Sequence, residues 1–179
     1  DVILDLSEAN RPIYADLPDE LRARIHFGPH IYPSAMPVLN MQPGKSLLFF
    51  GTSNPRRAKK IAELREAGVA VEEVRKRTFG DALRTQMGAG SAVLNLHFDD
   101  GIYTEAPRIL KAVLAGLPVV SEPLAAPFQA DVHYLSLDSA TAGAKRLAES
   151  YANLVRLLGT DYTLAGFLRH VAQDRRVLA

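Results

Sequence analysis

Short apolar runs that alternate with helix-like stretches are the feature that most constrains the fold. The runs at residues 46–50 (SLLFF), 91–98 (SAVLNLHF) and 117–121 (LPVVS) lack strict alternation of apolar and polar side chains. Such runs are typical of strands that are buried on both faces of a sheet. Strands and helices that alternate at short spacing predict βαβ units and a parallel sheet. We therefore predict an α/β fold: a Rossmann-like three-layer sandwich with a mainly parallel sheet and C-terminal helices.

Capping residues and glycines mark the helices between these strands. Asn54 or Ser53 can cap a helix over residues 55–67, and Pro55 suits its first turn. Thr104 can cap a helix whose apolar positions recur with the i, i+3, i+4, i+7 spacing of one buried face. The other predicted elements are strands at residues 2–6, 25–27, 69–74 and 132–137, and helices at residues 18–24, 79–87, 139–158 and 162–175, with a break at 159–161.

Proline divides the chain into parts. Seven of the eleven prolines lie at or before Pro55, and residues 29–45 have the composition of an extended loop. We predict a linker or extended segment with short strands and a helix at 1–45, a Rossmann-like core at 46–138 and C-terminal helices at 139–179. Because the chain opens with DVILDLSEAN, without Met or a cleavage signature, we expect it to be the interior of a longer polypeptide.

Composition excludes several classes of protein. The 179 residues include 21 basic and 20 acidic side chains, so no excess charge is available for bulk binding of nucleic acid. A hydrophobic content of 47% excludes disorder, and no apolar run reaches the roughly 18 residues that cross a bilayer. The absence of cysteine excludes disulfides, zinc–thiolate sites and a cysteine nucleophile. We expect a cytoplasmic protein without a membrane span or a nucleic-acid partner.

Ligands of open α/β sheets bind beyond the carboxyl ends of the strands. In the loop at residues 51–54, Gly51 follows a strand, and Thr52 and Ser53 add hydrogen-bond donors before a helix N-terminus that suits an anion. Arg56 and Arg57 add cations there, which predicts a phosphate site; the alternative is an ordinary βα turn. Neither the P-loop pattern GxxxxGK[ST] nor the dinucleotide-binding pattern GxGxxG occurs in the sequence. The rule selects the loops at residues 51–54, 75–80, 97–105 and 121–128.

The loop HFDDGIYTE holds the densest set of reactive side chains. His97 could act as a general base, and Asp99 with Asp100 could bind a hard metal ion, although a simple polar turn explains the same residues. Glu105 either accepts a hydrogen bond from a sugar or ribose hydroxyl, or stabilises its helix and pairs with Arg108.

The remaining charged and imidazole groups are less informative. The three cations at residues 75–77 could serve an anionic ligand but more often form a solvated turn. We expect structural roles for His26 and His133 and an exposed His170, whereas His30 lies in a loop that could reach a cleft.

The order of these pieces resembles the C-terminal nucleotide-sugar-binding domain of GT-B-fold glycosyltransferases, and most closely a bacterial group of spore-maturation-type glycosyltransferases. LLFFGTSNPRRAKKIAELREAGV is similar to that group's first strand, loop and helix. SAVLNLHFDDGIYTEAPRILKAVLAGLPVVSE is similar to its most distinctive block, and VILDLSEANRPIYADL with HFGPHIY is similar to its approach from the interdomain linker. Together these segments cover about residues 1–128.

The resemblance implies a donor site, a nucleotide-sugar substrate and no metal or other cofactor. It also implies an N-terminal acceptor-binding domain of the same parent chain, without which we expect no activity. A catalytic base usually comes from that other domain, so none is assigned here. The implied donor-binding residues are Gly51, Thr52, Ser53, Arg56, Arg57, His97, Glu105 and Arg108.

The chain also departs from the family. Many relatives carry two glutamates eight residues apart around this helix, and those positions are Tyr103 and Lys111 here. Two alternatives therefore stay open. One is a non-catalytic binding or assembly domain with a degenerate GT-B fold, and the other is a different enzyme on a Rossmann-like fold, such as a nucleotide-using epimerase.

Overall fold

The computed structural model describes residues 2–74, 78 and 80–177. Five short parallel strands form its main sheet, in the order β4-β3-β5-β6-β7. This confirms the predicted α/β class with a parallel sheet, although each strand is shorter than its apolar run. The strands are β3 (Leu47–Phe49), β4 (Val71–Glu73), β5 (Ala92–Asn95), β6 (Val119–Ser121) and β7 (Leu135–Ser136).

Helices cover both faces of the sheet and complete a Rossmann-like three-layer sandwich. The backbone N–H of Arg57 donates to the Asn54 side chain at 2.8 Å, so Asn54 rather than Ser53 caps α2. No helix among the described residues combines the length and apolar character needed to cross a lipid bilayer. The main helices are α2 (Pro55–Glu66), α3 (Gly80–Met87), α4 (Ala106–Leu114), α5 (Ala144–Asp161) and α6 (Leu164–Val177).

The core has one cluster on each face of the sheet, because successive strand residues point to opposite faces. Leu48, Val93 and Val119 pack with α3 and α4 on one face. Phe49 and Leu94 pack with α2 on the other face. All of these side chains are buried, so both faces are covered as the continuous apolar runs predict.

The N-terminal segment forms a separate two-stranded parallel sheet that packs near the last helix. Its strands are β1 (Ile3–Asp5) and β2 (Ile25–Phe27), and the connection contains a 3-10 helix (Glu8–Tyr14) and α1 (Asp19–Arg22). Tyr32 is buried in the main core. Its backbone N–H donates to the carbonyl oxygen of Tyr162, and its carbonyl oxygen accepts from the N–H of Leu164.

Three details of the predicted helices are wrong. The helix predicted from residue 139 begins only at Ala144, after a short 3-10 helix at Leu137–Ser139. Thr104 does not cap α4: its hydroxyl is buried without a hydrogen-bond partner among the described residues, and Glu105 is the N-terminal flanking residue. The expected break at residues 159–161 is absent, because α5 runs on to Asp161. The adjacent Leu158 is fully buried, and this packing outweighs the low helix propensity of Gly159.

Candidate functional site

The order of the strands places one pair of loops at a topological switch point. The chain leaves β3 toward β4 on one side and returns to β5 on the other side of β3. Loops at the carboxyl ends of two such strands diverge and leave a crevice. Gly51 follows β3 and His97 follows β5, so the structure brings together two of the predicted donor-binding segments at this crevice.

Two guanidinium groups lie behind the crevice. Arg57 is 4% exposed, and it donates to the carbonyl oxygens of Leu96 at 2.8 Å and of Thr52 at 2.7 Å. Arg108, from α4, is half-buried and donates to the same Leu96 oxygen at 3.1 Å. Neither guanidinium lies within salt-bridge distance of a carboxylate in the part of the chain that the structure describes. Burial lowers the pKa of both groups, and the charge of Glu105 partly opposes that effect.

Gly51 leaves an opening onto these guanidiniums. Its φ of 129° is a conformation that residues with a side chain rarely adopt. A Cβ atom built there would lie 3.3 Å from Nη2 of Arg108 and 3.9 Å from Nη1 of Arg57. Because Gly51 is exposed, an anion from solvent could occupy the place that a side chain would fill.

Glu105 closes the same crevice from the start of α4. Its φ of 49° places a non-glycine residue in the left-handed region, and its side chain makes no capping hydrogen bond. The carboxylate is 20% exposed, and its Oε1 lies 3.3 Å from Nδ1 of His97. Burial raises the pKa of Glu105, but the His97 hydrogen bond and the charge of Arg108 outweigh burial and lower it overall.

His97 is enclosed by its partners. The side chain is 1% exposed, and Nε2 lies 2.9 Å from the carbonyl oxygen of Pro123. Its backbone N–H donates to Oε2 of Glu122 at 2.7 Å, and the ring packs edge-on against Tyr103. With both ring nitrogens occupied and almost no exposure, His97 is badly placed to take a proton from a ligand.

Arg56 does not line the crevice in the way the sequence predicts. It makes a bidentate ion pair with Glu122, with nitrogen–oxygen distances of 2.6 and 2.9 Å, and a further pair with Asp100 at 2.6 Å. Its hydrogen bonds with Glu122 and then Asp100 raise its pKa. For Glu122, burial raises the pKa, but the hydrogen bonds from Arg56 and from the His97 backbone lower it overall. The Asp100 carboxylate therefore forms an ion pair with Arg56.

Sequence reasoning missed Glu122. It is 6% exposed and ties α2 to the ends of β5 and β6, which no local pattern indicates. The only signal is its place directly after β6, within one of the four loops at the carboxyl edge. A buried carboxylate at that edge is uncommon unless it is paired.

The other predicted residues contribute less. Thr52 and Ser53 are exposed at the mouth of the crevice, and Thr52 contributes its carbonyl oxygen to Arg57. His30 stacks on Phe167, and no contact with the crevice residues is seen among the described residues. The cationic residues 75–77 lie outside the described residues. Among the residues that the structure describes, no group of three His, Asp or Glu side chains is arranged to hold a metal ion.

Comparison with known proteins does not identify a family. The sequence matches no protein-family model and no curated protein. The Rossmann-like fold is therefore a finding of the structure, and any assignment of activity has to rest on the geometry of the crevice between β3 and β5.

Proposed function

We propose that this domain binds the diphosphate of a nucleotide-activated sugar in the crevice between Gly51 and Glu105. In this proposal it is the donor-binding half of a glycosyltransferase whose acceptor-binding domain lies elsewhere in a longer chain. The observation that carries the proposal is the pair of guanidiniums, Arg57 and Arg108, that face Gly51 without a carboxylate partner.

Charge supports an anionic ligand. A buried cation is costly unless an anion or strong hydrogen bonds compensate it, and here backbone carbonyls supply only partial charges. Glu105 is the carboxylate whose charge acts most strongly on both guanidiniums, so the group of three carries a net positive charge. A diphosphate at Gly51 would supply the missing negative charge and accept charge-assisted hydrogen bonds, which are about twice as strong as neutral ones.

The proposed chemistry follows from the same charges. In sugar transfer, negative charge grows on the departing diphosphate, and fixed guanidiniums at that position stabilise the transition state. Glu105 offers a carboxylate oxygen to a hydroxyl of the sugar or ribose. None of these residues is assigned as the base that activates the acceptor. The proposal includes no metal or other cofactor, and places the protein in the cytoplasm.

A non-catalytic binding domain is the second candidate, and two observations favour it. Arg56, which the resemblance assigns to the donor site, is already neutralised by Glu122 and Asp100. The Lys111 ammonium lies 5.5 Å from the centre of the Phe50 ring, at a position where many relatives carry a ribose-binding glutamate.

Isothermal titration calorimetry with nucleoside diphosphates, nucleotide sugars and inorganic pyrophosphate tests the proposal. We expect at least one nucleotide sugar to bind, and Arg108→Met to weaken its affinity about tenfold or more, because each lost charge-assisted hydrogen bond costs about 1.5–3 kcal/mol. Arg84→Met is the matched control, because it removes one exposed positive charge from α3. No binding by the folded domain, or equal effects of the two substitutions, would contradict the proposal.

A further inference from the structure

Both ring nitrogens of His97 face oxygen atoms. Nε2 lies 2.9 Å from the carbonyl oxygen of Pro123, and Nδ1 lies 3.3 Å from Oε1 of Glu105. A backbone carbonyl can only accept a hydrogen bond, so Nε2 carries a hydrogen. A neutral imidazole has only one N–H, and its other nitrogen would then turn a lone pair toward the carboxylate.

A proton is therefore needed between Nδ1 and Glu105, either on the ring or on the carboxyl group. The surroundings favour the ring. Burial raises the pKa of Glu105, but its hydrogen bond with His97 and the positive charges of Arg108 and Arg57 lower it overall, which keeps the carboxylate ionised. The hydrogen bond is then donated by Nδ1–H to a carboxylate.

Besides Glu105, one further carboxylate favours a positively charged ring, whereas the burial of the ring and the charges of Arg56 and Arg57 oppose it. A second carboxylate, Glu122, accepts the backbone N–H of His97 at 2.7 Å. Arg56 and Arg57 donate to the His97 carbonyl oxygen, and Arg56 is itself paired with Glu122. The titratable or charged groups that face His97 are Glu105, Glu122, Arg56, Arg57 and Tyr103.

We propose that His97 is a doubly protonated positioning residue that holds Oε1 of Glu105 and leaves the other carboxylate oxygen for a ligand hydroxyl. The ring is too buried to contact a ligand itself. Glu105 needs such a support, because its left-handed backbone provides no capping bond to fix the side chain. The part of the inference that concerns a ligand rests on the proposed function.

Nitrogen-15 NMR of the imidazole rings tests the protonation directly and needs no ligand. At about pH 8, a free histidine ring is largely neutral, since its usual pKa is about 6.5. We expect both ring nitrogens of His97 to show protonated chemical shifts at that pH. In Glu105→Gln, we expect Nδ1 to lose its proton, because the amide can donate to it. A wild-type ring with one bare nitrogen would overturn the proposal.

Affinity tests the positioning role. We expect His97→Gln to weaken binding of a nucleotide sugar about tenfold. The same substitution should change the affinity for inorganic pyrophosphate less than about twofold, because under the proposed function pyrophosphate would contact the arginines and not Glu105. Unchanged nucleotide-sugar binding in His97→Gln would overturn the role of His97. A wild-type domain that binds neither probe would overturn the proposed function, whereas the NMR result on the wild type would still decide the protonation of His97.

Discussion

At the scale of single residues, two backbone conformations identify the crevice. Gly51 has a φ of 129° and Glu105 a φ of 49°. Gly51 lies beside the Arg108 guanidinium, whose charge also acts on Glu105. A non-glycine residue in a sparsely populated region costs on the order of 1–3 kcal/mol, and such residues cluster at functional sites. Glycine at position 105 would relieve this strain but would lose the carboxylate that the proposed binding role needs.

Gly51→Ala tests the opening at the crevice. The substitution should destabilise the fold by about 1–3 kcal/mol, because its φ suits only glycine. It should also abolish diphosphate binding, because the new Cβ would lie 3.3 Å from Nη2 of Arg108. Unfolding in urea and calorimetric titration measure the two effects.

Gly88→Ala is the control for this substitution. Gly88 has no positive φ, and a Cβ there would meet only backbone oxygen at an ordinary 3.5 Å. We expect it to be neutral or to stabilise the fold by about 0.4–1 kcal/mol, with unchanged binding. Equal behaviour of the two alanine variants would refute the special role of Gly51.

At the scale of elements, Glu122 connects three segments of the carboxyl edge. Its carboxylate accepts from Arg56 of α2 and from the backbone after β5, while Glu122 itself follows β6. Because hydrogen bonds outweigh burial, its pKa in the folded protein is below the ordinary value of 4.5. Its stabilising contribution is therefore complete above about pH 4.5 and is lost as the pH falls through the folded-state pKa.

Glu122→Gln should destabilise the protein by roughly 1–3 kcal/mol at neutral pH, since it removes the charge that pairs with Arg56. The free energy of unfolding of the variant should also fall less steeply with acid below about pH 4.5. Denaturant unfolding between neutral and acid pH measures both effects. The control Glu63→Gln, on an exposed part of α2, should change stability by less than about 0.5 kcal/mol. Parallel acid profiles for wild type and Glu122→Gln would contradict this account.

Local signals in the sequence predict the elements better than their connections. The capping of α2 by Asn54 was predictable because donor and acceptor are three residues apart. The start of α4 was not predictable from the sequence, because the burial of Thr104 and the left-handed backbone of Glu105 depend on packing against the rest of the fold. The pairing of Arg56 with Glu122 joins positions 66 residues apart, so no local pattern distinguishes it from binding of a ligand anion.

At the scale of the whole molecule, the α/β class and the edge that holds the candidate site follow from the order of strands and helices. Apolar runs identify the parallel sheet, and the switch point between β3 and β5 identifies the crevice. A formal net charge of +1 gives no indication of how the charged side chains are arranged around the crevice. Arg56 is neutralised by carboxylates, whereas Arg57 and Arg108 keep a positive surplus beside Gly51.

Amide chemical-shift mapping of the ¹⁵N-labelled domain with a nucleoside diphosphate tests the central claim most directly. We predict that the largest shifts fall at residues 51–54 and 104–108, and that Arg108→Met weakens the titration about tenfold or more. A titration without shifts would contradict the account. So would shifts centred on another part of the surface, such as the cavity of about 360 Å³ beside His133 and Arg156.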